Sequence, residues 1–105
     1  MKLLFLCSRN RKRSLTAESI FQGSSNFQVK SAGTESSARI KVTEGMVNWA
    51  EYILVMEKRH RKRLFQKFPE ARKKNIIVLD IEDIYEFMDE ELVLSLKSSV
   101  EFLQV

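Results

Sequence analysis

Lys2-Leu3-Leu4-Phe5-Leu6-Cys7-Ser8-Arg9-Asn10-Arg11-Lys12-Arg13-Ser14 joins an almost wholly apolar run to a cationic one. The run from Lys2 to Leu6 reads as a strand buried on both faces, ending at Cys7. Ser14 opens a segment with apolar residues at Leu15, Ala17, Ile20 and Phe21. That spacing predicts a helix, with Ser14 as its N-cap and Gly23 as its stop. Cys7 and residues 8–13 therefore lie between a buried strand and a helix N-terminus.

Working outward, Phe27, Val29 and Ser31 alternate as a second strand, closed by Ala32-Gly33-Thr34. Thr43 caps a helix carrying Met46, Val47, Trp49 and Ala50, with Trp49 read as core packing. Tyr52 to Val55 is a third buried strand. Glu57 to Phe68 is a very basic helix with Leu64, Phe65 and Phe68 on its apolar side, and Pro69 follows it. Asn75 to Leu79 is a fourth strand. Asp89 caps a last helix with Leu92, Val93, Leu96, Val100 and Leu103 at helical spacing. Strands and helices alternate four times. The fold class is therefore α/β, a three-layer αβα sandwich around a four-stranded parallel sheet. Ligands bind such sheets at the carboxyl ends of the strands. Cys7 ends the first strand and Asp80 to Asp83 follow the fourth, so the two segments can share one rim.

The 105 residues, 44% apolar and 30% charged, fit one globular domain spanning 1–105. No apolar run approaches the ~18 residues of a membrane span. The apolar start is too short for a signal peptide, and Arg9 and Arg11 follow at once. A single cysteine excludes an internal disulfide and agrees with a reducing compartment, so a cytoplasmic location is expected. The net charge of +4 is uneven. Lys and Arg crowd residues 1–75, and residues 80–91 are acidic, which points to an anionic partner. The run Lys58 to Arg63 reads as a solvated helix face, with a docking face for an acidic partner or nucleic acid as the alternative. His60 has no Cys or His companion at ligand spacing, so no metal is expected, and nothing calls for a cofactor.

The loop carries the chemistry. Its backbone N–H groups can converge into an anion nest, and the next helix adds its positive end. Arg13 adds a planar fork of donors matched to phosphate oxygens. Such surroundings favour the thiolate of Cys7, which beneath a phosphoryl group is placed for in-line attack. The Ser14 hydroxyl can donate to that sulfur. The leaving oxygen then needs a proton and a later water needs a base, work that one carboxyl can do in turn. Asp80, Glu82 and Asp83 are the candidates.

Cys7, five residues, Arg13 and Ser14, directly after an N-terminal strand, resemble the signature of the low-molecular-weight protein tyrosine phosphatases. Further matches run from about residue 2 to residue 100. Asn10 stands where the family has the asparagine that holds the loop in an unusual backbone conformation. Ala17-Glu18 resembles the start of its first helix. Ser31-Ala32-Gly33-Thr34 resembles the segment whose serine supports that asparagine. Ala50-Glu51 into Tyr52 to Met56 resembles its third strand, and Glu82-Asp83-Ile84-Tyr85 its general-acid loop. The resemblance implies strand order 2-1-3-4 in a short member of the family. It implies a phosphomonoester hydrolase, a protein tyrosine phosphatase, working through phosphocysteine on Cys7. Arg13 would bind the phosphoryl group, with Ser8, Arg9, Asn10, Arg11, Lys12 and Ser14 forming the loop and Ser31 its support. Asp83 would be the general acid, with Asp80 also open. Tyr85 would sit at the substrate rim, or simply pack. The partners would be a phosphorylated protein or a small aryl phosphate, with phosphate-like oxyanions as inhibitors and no membrane.

Three departures stand out: Leu15 and Ile84 where the family has proline, and Lys12 where it has a second loop cysteine. The alternative readings are a catalytically weak phosphate- or phosphoprotein-binding module on the same fold, and a nucleic-acid-associated protein, which rests on charge alone. The thioredoxin-coupled arsenate reductases, also similar, need two further cysteines that this chain lacks.

Overall fold

The computed structural model describes residues 1–103. Four parallel strands, β1 (Lys2–Cys7), β2 (Gln28–Gly33), β3 (Tyr52–Val55) and β4 (Asn75–Val78), form one sheet in the order β2-β1-β3-β4. Four α-helices alternate with them: α1 (Arg13–Phe21), α2 (Glu44–Trp49), α3 (Lys58–Lys67) and α4 (Glu90–Ser99). Short 3-10 turns cover Pro69–Lys73 and Glu101–Leu103. The expected architecture and strand order are both observed.

The alternation within the central strands explains the three layers. Leu3, Phe5 and Cys7 of β1 face a core shared with Ala17 and Phe21 of α1 and with Leu92, Leu96 and Val100 along α4. Leu4 and Leu6 face the opposite core, with Val47 of α2, Leu64 of α3 and Ala71. Leu3 to Leu6 are each fully buried, and burying one such side chain is worth roughly 1.5–3 kcal/mol. Phe5 stacks on Phe21, whose ring meets Phe27 edge-on. Register aligns Cys7 with Gly33, and Leu6 with Val55, which in turn pairs with Val78. The strands therefore end together and make a common rim. No helix among the described residues is long and apolar enough to cross a membrane.

Thr43 and Asp89 cap their helices as expected, accepting N–H bonds from Met46 and from Glu91 and Leu92. Three local expectations are corrected. Ser14 is not an N-cap: α1 begins at Arg13, the N-cap position is Lys12, and no side chain caps it. The Ser14 hydroxyl is turned inward to other partners, and one hydroxyl cannot serve both ends. Gly23 does not stop α1 through a left-handed turn: the helix ends at Phe21, Gln22 stays right-handed, and no glycine has positive φ. The basic run of α3 is not wholly solvated either, because His60 is 1% exposed.

Candidate active site

Residues 8–12 follow the carboxyl end of β1, and the carbonyls at the start of this stretch are tied to the segment that follows β2. Cys7 O accepts from Thr34 N, Ser8 O from Glu35 N, and Arg9 O from Arg39 N, at 2.9, 3.0 and 2.9 Å. The N–H groups of residues 8–12 donate to no other backbone group among the described residues, which leaves them available to an anion. The loop lies so close to β2 that a Cβ on Gly33 would stand 2.5 Å from both Ser8 O and Ala38 Cβ, so only glycine fits there.

One turn of the loop is left-handed, at Asn10 with φ 58°. Asparagine tolerates that region better than most residues. Its side chain holds the turn from inside. Asn10 Nδ2 donates to Ser14 Oγ (2.7 Å) and to Ser31 Oγ (2.8 Å), and Asn10 Oδ1 accepts from Arg39 Nη2 (2.9 Å). Ser31 Oγ in turn donates to Glu18. Ser14 Oγ stands 2.9 Å from Cys7 Sγ and 3.3 Å from Ala32 O. Since Asn10 donates to it, Ser14 has its own proton free for either of these. With a thiolate at Cys7, that proton goes to sulfur.

Arg13 is held from one side. Its Nη1 donates to Glu57 Oε1 at 2.6 Å and to Ile81 O at 2.7 Å, which uses both hydrogens of that nitrogen. The Nε and Nη2 edge is left for an oxyanion, with Asp83 Oδ1 3.7 Å from Nε. Burial works to raise the Glu57 pKa. The hydrogen bonds from Arg13 and Arg59 outweigh it and hold the carboxyl below its ordinary 4.5.

His60 closes the other flank. Its Nδ1 accepts the Glu57 backbone N–H at 3.0 Å, so its proton sits on Nε2, which donates to Ser8 Oγ at 2.9 Å. Burial, then the charges of Arg13 and Arg59, push its pKa down from 6.5 to about 4. The ring is therefore neutral at pH 7, and the Ser8 hydroxyl keeps its proton for another acceptor.

Together these elements form a pocket of about 370 Å³ with Cys7, Ser8 and Arg13 among its lining and Asp83 beside them. Arg9, Arg11, Lys12, Arg59 and Glu35 complete the wall, and none of the lining side chains is aromatic. Asn10, Ser14 and Ser31 lie buried behind the loop. Asp80 is not brought to this pocket. It lines a neighbouring cleft with Glu57, Lys58, Arg59 and Glu82, in a left-handed turn with φ 56°. Tyr85 is not brought there either and packs on the core around α1 and α4.

The parts that Glu57, His60, Glu18 and Arg39 play at this site escaped the sequence reading. The first two carried a signal: an acidic residue followed three positions later by a side-chain acceptor, just where a helix starts, resembles a capping box. Glu18 and Arg39 carried none, because their partners lie 13 and 29 residues away.

This is the fold of the low-molecular-weight protein tyrosine phosphatases. Neither a family model nor a curated protein matches the sequence. Among solved structures, the YwlE arginine phosphatase of Geobacillus stearothermophilus aligns with TM-score 0.76 and 21% identity, over 98% of this chain and 92% of that one. Wzb of Vibrio vulnificus, solved with benzylphosphonate, aligns with TM-score 0.69 and 25% identity, over 98% and 94%. The low-molecular-weight protein tyrosine phosphatase SP-PTP of Streptococcus pyogenes aligns with TM-score 0.77 and 18% identity, over 98% and 91%.

Proposed function

We propose that the chain is a single-domain, cytoplasmic phosphomonoester hydrolase of the low-molecular-weight protein tyrosine phosphatase type, acting on phosphotyrosine in protein. One observation carries the reading. Cys7 lines a cationic pocket with Arg13, the Ser14 hydroxyl is 2.9 Å from its Sγ, and the N–H groups of the loop that follows have no backbone partner among the described residues.

In the first step the Cys7 thiolate attacks phosphorus in line, an S–P bond forms, and the P–O bond to the tyrosyl oxygen breaks. Asp83, entering as the carboxylic acid, gives its proton to that oxygen. The Nε and Nη2 edge of Arg13 and the loop N–H groups take the charge spread over the equatorial oxygens. In the second step the Asp83 carboxylate takes a proton from water, the water oxygen attacks phosphorus, and the S–P bond breaks to release phosphate. Ser14 stabilises the departing thiolate. Asp83 is assigned over Asp80 because only Asp83 lines the pocket. Phosphotyrosine is favoured over phosphoarginine, the substrate type suggested by the name of the YwlE neighbour. Arg9, Arg11, Lys12 and Arg59 at the mouth would repel a guanidinium leaving group. A YwlE mutant with a phosphorylated active-site serine supports covalent transfer on this fold.

The test is hydrolysis of an aryl phosphate. Cys7→Ser should lose turnover while still binding vanadate, and Asp83→Asn should lose about 10²–10⁴-fold where Asp80→Asn loses little. Turnover that survives Cys7→Ser removes the mechanism.

A further inference from the structure

An aryl phosphate that enters this pocket meets no aromatic wall, so specificity has to come from elsewhere. The lining of the pocket is cationic, and one of its residues, Arg59, also belongs to a second, larger concavity. That groove, about 800 Å³, runs along α3 beside the edge strand β4 and is lined by Lys58, Arg61, Lys62 and Arg72 over a floor that includes Phe65 and Ile76. The cations of the two concavities are placed differently. In the pocket, four of the five cations, Arg9, Lys12, Arg13 and Arg59, have a carboxylate within 4.0 Å, and Arg11 pairs with none among the described residues. In the groove, Lys58, Arg61, Lys62 and Arg72 pair with none among the described residues. Arg72 instead lies over the Phe65 ring, 5.1 Å from its centroid, which fixes the guanidinium at the groove floor. Unpaired cations held together on one face repel each other and are relieved by an anionic partner.

We propose that this groove binds an acidic segment of the phosphorylated protein whose phosphotyrosine occupies the Cys7 pocket, with Arg59 at the junction. The proposal rests on the phosphatase reading of that pocket. The ten residues of α3 span about 15 Å, the length of about five residues of extended chain. The acidic residues of the substrate therefore lie within about five positions of the phosphotyrosine.

The experiment compares two phosphotyrosine peptides that differ only in carrying three glutamates or three glutamines at those positions. At low ionic strength kcat/KM should favour the glutamate peptide by about tenfold, the sum of several exposed ion pairs. The preference should collapse toward parity in about 1 M salt, where the Debye length is ~3 Å. The double variant Lys62→Glu, Arg72→Glu should bring the ratio to one or below, and Arg61→Gln should lower it partway. Parity in the wild type, or a ratio untouched by both variants, overturns the proposal.

If no aryl phosphate is turned over at all, the phosphatase reading has failed, and docking is read separately. Fluorescent forms of the same two peptides are titrated into Cys7→Ser by polarisation. A Kd about tenfold weaker for the glutamine peptide upholds the groove, and equal Kd values overturn it. An oligonucleotide of similar length that binds as tightly at about 0.15 M salt also overturns it, in favour of a nucleic-acid surface.

Discussion

The turn from β1 into α1 and the turn from β3 into α3 leave the same rim of the sheet, from strands paired directly with each other. They are built to opposite ends. The second turn is filled by its own side chains: the Glu57 carboxylate stands at the N-cap position of α3, and the His60 ring takes the Glu57 N–H. The first turn has no such acid: the N-cap position of α1 is Lys12, and no side chain caps it. A helix start carries unpaired N–H groups and a partial positive charge, which something must satisfy. In α3 the Glu57 carboxylate lies at that end and the His60 ring takes the Glu57 N–H. In α1 no side chain among the described residues does so, and the filled turn braces the open one through Glu57 to Arg13 and His60 to Ser8.

The largest effect should come from breaking that brace at its strongest point. Arg13→Lys keeps a charge but cannot reach Glu57 and Ile81 while presenting two donors to an oxyanion. Turnover of an aryl phosphate should fall by about 10²–10³, the usual consequence of losing a transition-state donor. Weaker loss, within about threefold of wild type, would mean that the loop amides carry the oxyanion alone.

His60 sharpens the comparison through pH. Its pKa in the folded protein is about 4, against 6.5 in the unfolded chain. Between those values the unfolded state binds a proton that the folded state refuses, so stability falls as pH drops from 6.5 toward 4 and is unaffected by this group above pH 7. The loss amounts to roughly 3 kcal/mol across that window. His60→Gln leaves an acceptor near the Glu57 N–H and removes the titration. Denaturant unfolding at pH 7 and at pH 4 should show the two proteins diverging by that amount. Parallel curves would mean that the ring takes up its proton as readily in the folded protein as in the unfolded chain.

The open turn was legible in the sequence because its parts are contiguous. An apolar run, a cysteine, cations and a helix pattern follow one another within residues 2–21, and local periodicity reads each element. The sheet was legible for the same reason, and its strand order came through the family resemblance. What closes the neighbouring turn was not legible. His60 sits in a run of five Lys and Arg residues, which swamps the signal of one buried ring. Its burial depends on Ser8, 52 residues away. The Ser14 reading failed in an instructive way. Serine before a helical pattern is a good cap on average. Here its hydroxyl is already bonded to Asn10 and Cys7, a demand set by tertiary contacts.

The difference between the turns can also be erased. Lys12 occupies the N-cap position of α1, the place that Thr43 and Asp89 fill in α2 and α4. Lys12→Asp would give α1 the cap it lacks, and the new carboxylate would accept the first-turn N–H groups that an incoming phosphoryl group needs. It also removes one cation from the pocket wall and its ion pair with Glu86, an exposed contact of little worth. Stability should rise by about 0.5–1 kcal/mol, the low end of what an N-cap supplies. Phosphate and vanadate binding should weaken at least about tenfold, since the site now holds its own anion. The two readouts must move in opposite directions. A variant that is stabilised and still binds phosphate would show that the loop amides, and not the end of α1, hold the anion. A variant that loses both would mean that an acid at residue 12 distorts the turn instead of filling it.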